Sequence, residues 1–260
     1  MSLDYLAQLR AESARFGTVL RDADLDARVP TCPDWDAGDL LYHLAEVFLF
    51  WARDVEQRAQ DPDAPDAGTP PKPATRDELV TLYDDCTAQL VNALAATPDD
   101  VQVWTWTDDR SVGFVRRRMA HEALIHRLDA ELTVGSLTNV DPALAADGVH
   151  ELLQHFHTHP TWADYRSDGP VGRLRAADTG DEWLAQVGTF SGRSPNTGKT
   201  YQDVPCVGLA AAGEPSFTIT ATARDLDAWA WNRPPLKQPV VEGSDADFRV
   251  FADVLATGVQ

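Results

Sequence analysis

Cysteine, basic residues and long apolar runs are all scarce in this sequence of 260 residues. Its three cysteines, Cys32, Cys86 and Cys206, are too few and too scattered for a disulfide framework, which favours a reducing compartment. No apolar stretch approaches the roughly 20 residues that a membrane-spanning helix requires. The first residues lack the basic start and apolar stretch of a secretory signal, so we expect a cytoplasmic protein.

Positive charge is in short supply, with 22 Lys and Arg against 41 Asp and Glu, a formal net charge of −19. A polyanionic nucleic acid would be repelled, and so would an anionic membrane surface. We therefore expect small-molecule ligands as partners, and a monomer or a small homo-oligomer.

Apolar residues recur at helical spacing through the first half of the chain and predict four long helices. The first runs from about Leu3 to Leu20, and the second follows Asp36, which is placed to cap it. Thr75 and Glu78 form a capping-box pattern for the third, and the fourth runs from about Gly113 to Leu132. The polar, proline-rich stretch 60–74 reads as a solvated loop. Four such helices predict an antiparallel bundle.

The second half of the chain has a different pattern. Short alternating stretches, Val171 to Ala177 and Ser216 to Ala223, predict strands, and Asp225 to Trp231 predicts a short helix. A fifth helix is expected over Pro142 to His159, between the two parts. The predicted fold class is α+β, with a helical bundle over 1–159 and a small α/β domain over 160–260.

Three side chains on two predicted helices form a candidate metal site. Glu122 and His126 lie four residues apart, which at about 100° per residue places them on one helix face. His43 lies on the inward stripe of another helix and would supply a third ligand. Two imidazoles and one carboxylate suit zinc with a fourth position open for water, substrate or a thiol. The alternative is that both histidines are hydrogen-bonded core residues and Glu122 pairs with an arginine.

These residues belong to longer motifs that resemble the mycothiol-dependent maleylpyruvate isomerase family, within the DinB-like metal-binding bundles. The resemblance covers most of the chain. Its bundle motifs are Val29–Trp35, Asp39-Leu40 and His43-Leu44, then Arg117-Arg118, His121-Glu122, His126-Arg127 and Asp129-Ala130. Its C-terminal pieces are Ala176–Asp178 with Trp183, then Ala223–Leu226 running into Trp231–Arg233.

The resemblance implies a zinc ion held by His43, Glu122 and His126, and mycothiol as a cofactor whose sulfur takes the open zinc position. It also implies an isomerase that works by thiolate addition, or a thiol S-transferase that stops after the addition. In the family a C-terminal domain covers the cleft, and an arginine from it holds the anionic substrate. Arg233 is the candidate here, because a guanidinium fits a carboxylate bidentately; the alternative is a surface ion pair. Pro234 and Pro235 directly follow Arg233, and they make the local match to the family less close.

Two other groups of residues allow more than one interpretation. The alternating histidines His155, His157 and His159 would be either a second metal site or the end of a helix before Pro160. Cys32 would be either a nucleophile near a helix start or a packing cysteine. Two competing function classes also remain, a non-catalytic ligand-binding protein and a hydrolase with metal-activated water.

Overall fold

The computed structural model describes residues 3–66, 68–195 and 197–257 and divides into two compact units, Met1–Asn139 and Val140–Gln260. The α/β class expected for the second part is confirmed, as is a helical first part. The sequence placed the boundary after residue 159, whereas the units divide at Asn139 and Val140, because the helix that begins at Pro142 packs within the second unit. None of the described helices is long and apolar enough to cross a membrane.

The first unit contains four long helices, one short helix and a two-stranded hairpin. The helices are α1 Tyr5–Arg21, α2 Ala37–Gln57, α3 Asp63–Asp66, α4 Arg76–Ala96 and α5 Val112–Val134. The antiparallel hairpin consists of β1 Arg28–Val29 and β2 Cys32–Asp36. Helix α1 packs mainly on α5, and α2 mainly on α4. Their inward faces bury a core of leucine, phenylalanine and alanine side chains, including Phe16, Phe48, Leu44, Leu90 and Leu124.

The predicted caps are present. The Asp36 side chain accepts the N–H of Asp39 and the Asp39 side chain accepts the N–H of Asp36, a complete capping box. Thr75 caps α4 by accepting the N–H of Glu78, but the Glu78 carboxylate accepts from the Thr75 hydroxyl at 2.7 Å, so the predicted capping box is only half formed. The stretch 60–74 was expected to be a loop throughout, but it contains the single turn α3, which begins where Asp61 accepts the N–H groups of Asp63 and Ala64.

The second unit is a mixed sheet with helices. Its strands are β3 Asp164–Arg166, β4 Val171–Ala176, β5 Glu182–Arg193, β6 Thr200–Leu209, β7 Phe217–Ala221 and β8 Val240–Gly243. They run in the order β3-β5-β4-β7-β8, with β6 on β5, and β4 and β7 are parallel. The helices are α6 Pro142–Glu151, α7 Ala223–Ala230 and α8 Asp245–Ala256.

The helix expected over Pro142 to His159 is shorter and less regular than predicted. Helix α6 ends at Glu151 and continues as a π-helix over Leu152–Phe156, so the last three predicted residues are not helical. Pro160 accounts for part of the difference, because a proline disfavours helical backbone in the residue before it. The strand expected up to Ala223 also ends earlier, because Thr222 caps α7.

Candidate metal centre

The second turn of α2 carries His43. The capping box at Asp36 and Asp39 sets where this helix begins, and the buried stripe of Leu40, Leu44 and Ala45 turns one face into the bundle. His43 lies at the edge of that face, with 32% of its side chain exposed. A histidine so placed reaches the bundle interior and remains accessible to a ligand.

Helix α5 carries the other two residues. Ser111 caps it by accepting the N–H of Phe114, and Gly135 ends it in the left-handed conformation, with φ of 69°. Glu122 and His126 lie on adjacent turns of this 23-residue helix, on one face as the spacing predicts. His126 is buried, while 21% of the Glu122 side chain is exposed.

The three side chains converge. Glu122 Oε1 lies 3.1 Å from His126 Nε2 and 3.9 Å from His43 Nε2. One ligand atom from each residue lies within 4.8 Å of the other two, and among the described residues this is the one such group of histidine, cysteine and acidic side chains. Zinc binds nitrogen and oxygen at about 2.0–2.2 Å, so tetrahedral ligands lie about 3.4 Å apart. The distances and the donor set therefore fit a zinc ion.

The two oxygens of Glu122 face different partners. Oε1 faces the histidines, and Oε2 accepts a hydrogen bond of 2.8 Å from Arg118, one turn earlier and buried. The arginine pairing considered from the sequence therefore coexists with the histidine cluster. Burial alone would raise the pKa of Glu122, but the nearby imidazoles of His126 and His43 and the charge of Arg118 hold it well below its usual value. The site thus presents a carboxylate.

A second carboxylate lies behind His126. Asp129 Oδ2 is 3.1 Å from His126 Nδ1, and its Oδ1 accepts a 2.5 Å hydrogen bond from the Thr31 hydroxyl. Burial lowers the pKa of His126, but Asp129 and Glu122 outweigh it and raise the value to about 9. Without a metal, the imidazole therefore serves as a cation between two carboxylates.

Sequence reasoning gave no role to Asp129 or Thr31. Asp129 was open to detection, because it lies three residues after His126 on the same helix face. Thr31 was not, because it lies 98 residues from Asp129 in the chain.

Two family descriptions match this chain. Residues 6–131 match the mycothiol maleylpyruvate isomerase N-terminal domain, and residues 143–249 match the C-terminal domain of the same family. The chain belongs to this family. No curated protein matches the chain.

Solved structures show the same fold as this mycothiol maleylpyruvate isomerase family member. A crystal structure of the mycothiol-dependent maleylpyruvate isomerase has 13% sequence identity and a TM-score of 0.61, covering 94% of each chain. A histidine-to-alanine mutant of the mycothiol-dependent maleylpyruvate isomerase has 12% identity and a TM-score of 0.62, with the same coverage. At these identities the likeness concerns the fold, and both relatives are described as an enzyme.

The remaining candidate residues of this family member lie apart from the triad in the chain. Arg233 belongs to the second unit, just after α7, half-buried, and its Nη1 donates to the Trp231 carbonyl at 2.8 Å. His157 and His159 follow the π-helix, His157 buried and His159 stacked on Tyr165 with ring centroids 4.0 Å apart. Cys32 is half-buried in β2, and none of the three cysteines, all within the described residues, forms a disulfide.

Proposed function

We propose that this chain is a zinc- and mycothiol-dependent isomerase acting on a small, electrophilic, carboxylate-bearing substrate. The observation that carries the proposal is the convergence of His43, Glu122 and His126 to within 4.8 Å, in a chain of the mycothiol maleylpyruvate isomerase family. Maleylpyruvate is the first substrate to test, because the solved relatives are named for it.

His43, Glu122 and His126 would hold the metal, with a fourth position left for the thiol. Zinc bound there would stabilise a thiolate at neutral pH, the nucleophile that adds to electrophilic alkenes. The carboxylate of Glu122 would offset one unit of the metal's charge, which would leave a net positive centre that favours a thiolate over a neutral thiol.

Arg233 is the residue proposed to bind the substrate carboxylate. A guanidinium binds a carboxylate through two parallel hydrogen bonds, and it offsets locally the repulsion expected from a net charge of −19. The hydrogen bond from Nη1 to the Trp231 carbonyl uses one of the several N–H donors of the guanidinium group.

Metal analysis tests the site directly. We expect the purified wild-type protein to hold about one zinc per chain and His126→Ala to lose it, because two ligands cannot hold the ion against a chelator. His155→Ala, in the second unit, is the matched control and should keep the metal. Full zinc retention by His126→Ala would show that the ligands are wrong, and loss of zinc from His155→Ala alone would point to the histidine tract instead.

Thiol dependence is tested on the zinc-loaded protein. Mycothiol should raise the melting temperature and be required for isomerisation of maleylpyruvate, since a ligand that binds the native state stabilises it. A thioether product would identify an S-transferase. Turnover of an ester without thiol would identify a hydrolase, and zinc binding without either thermal shift or turnover would favour a binding protein.

A further inference from the structure

We propose that the β1–β2 hairpin, residues 28–36, is the positioning element of the metal centre, with Thr31 and Asp129 fixing the imidazole of His126. The inference rests on the proposed zinc site. Thr31 and Asp129 lie within the family motifs but are not among the proposed zinc ligands, and neither has yet been given a role. Each step of the inference uses a contact within the first unit.

Asp129 determines which nitrogen of His126 faces the other ligands. Its Oδ2 lies 3.1 Å from Nδ1, so Nδ1 carries the hydrogen of that bond. Nε2 is then the nitrogen that points to Glu122 Oε1, 3.1 Å away. A metal-ligating histidine whose second nitrogen is bound to a carboxylate has a fixed ring orientation and a more basic ligand atom.

Thr31 in turn holds Asp129. The Asp129 side chain is completely buried, and its Oδ1 accepts the 2.5 Å hydrogen bond from the Thr31 hydroxyl. Thr31 lies in the turn between β1 and β2, so the bond joins the hairpin to α5. Because this bond engages the oxygen that does not face His126, it restrains rotation of the carboxylate without competing for the imidazole.

The same hairpin also reaches the other histidine. The Trp35 ring lies 4.6 Å from the His43 ring, centroid to centroid, and 6.4 Å from that of His126. Asp36, the last residue of β2, is the N-cap of the helix that carries His43. One nine-residue segment therefore contacts both imidazoles and sets where α2 begins. In this way it positions the ligand of α2 relative to the ligands of α5.

Removing the Thr31 hydroxyl tests this arrangement with little change of shape. We expect Thr31→Val to weaken zinc binding roughly 3- to 10-fold, measured by competition with a chelator, and Asp129→Ala to weaken it about 10- to 100-fold. Thr31→Ser keeps the hydroxyl and should bind zinc within about 2-fold of wild type. Thr18→Val, which removes an exposed hydroxyl that donates to the Ala14 carbonyl, is the matched control.

Two further readouts separate positioning from general destabilisation. In the Asp129→Ala background, Thr31→Val should weaken zinc binding no further, because Thr31 acts through Asp129. In metal-free protein with ¹⁵N-labelled histidine, the Nδ1–H proton of His126 should be protected from exchange in wild type and unprotected in both single variants.

The outcomes also separate this inference from the proposed function. A protected Nδ1–H proton that both variants lose, in a protein that binds no zinc, would support the positioning pair and remove the zinc proposal. Zinc affinities within 2-fold of wild type in Thr31→Val and Asp129→Ala would overturn the positioning role and leave the zinc proposal standing. Additive losses in the double variant would also overturn it.

Discussion

Among single residues, Asp54 of α2 has an environment unlike that of the metal-site carboxylates. Its side chain is completely buried, where an ionised carboxylate is poorly solvated. Burial raises the pKa of Asp54 to about 7, a rise that the Trp104 main chain partly offsets. Nearby cations keep Glu122 ionised. No cation among the described residues contributes to the pKa of Asp54, so Asp54 is protonated below neutral pH.

The pH dependence of stability follows from this pKa. Folded Asp54 keeps its proton up to about pH 7, while the unfolded carboxyl loses it near 3.8, so the native state binds more protons between these values. Stability from this group is therefore present below pH 3.8 and is lost as pH rises to 7. Asp54→Asn should remove that loss, which amounts to roughly 4 kcal/mol at about 1.4 kcal/mol per pKa unit.

Urea unfolding from pH 4 to pH 8 measures the difference in unfolding free energy between the two proteins. It should grow in favour of Asp54→Asn up to pH 7 and then level off. Asp84→Asn, at a half-exposed carboxyl, is the control and should follow the wild-type profile. A constant difference across this range would show that Asp54 is ionised throughout.

The cluster of candidate ligands was largely predictable at this scale. His43, Glu122 and His126 were singled out because helical periodicity places them on inward faces, and the structure brings them together. The hydrogen bond from Thr31 to Asp129 was beyond prediction, because it depends on where the hairpin packs against α5.

At the scale of elements, α1 and α5 are joined by a buried charge network. Arg127 donates to Glu12 at 2.9 Å and lies 3.2 Å from Glu131, whose Oε1 also accepts from Arg15 at 2.7 Å. Glu131 is completely buried. Burial would raise its pKa, but the Thr138 and Arg15 hydrogen bonds lower it, so its charge persists in the interior.

Arg127→Met should lower the free energy of unfolding by about 3–5 kcal/mol, because it leaves Glu12 and Glu131 buried without their shared arginine. Arg21→Met, also on α1, is the matched control: its ion pair with Asp84 of α4 is about half exposed and should contribute less than about 1 kcal/mol. Chemical denaturation followed by circular dichroism gives both values. Equal losses in the two variants would mean that burial does not set the strength of these pairs.

Helices were easier to predict than strands. The caps at Asp36 and Thr75 are local signals, and α2 and α4 begin where these residues indicate. Strand β6 contains Pro205, which argues against a central strand. In the structure β6 pairs only with β5 among the described strands, so it lies at an edge of the sheet, where proline is tolerated.

At the scale of the whole molecule, the excess of acidic residues affects stability. With a net charge of −19, the acidic side chains of the folded protein repel one another, and added salt screens this repulsion. We expect the melting temperature at pH 7 to rise by several degrees as NaCl is raised from about 10 to 200 mM, where the Debye length falls below about 10 Å. Near pH 4.5, the sequence pI, the same change should have little effect. A salt response of equal size at both pH values would contradict a charge origin.

The helical first part, the caps of its helices and the face on which the candidate ligands lie all follow from periodicity and from contacts a few residues apart, so the amino-acid sequence is enough to predict them. Three features depend on the folded chain: α6 packs with the second unit, a proline-containing strand pairs at a sheet edge, and Thr31 holds Asp129 behind His126. These features join residues distant in the chain, and packing alone brings such residues together.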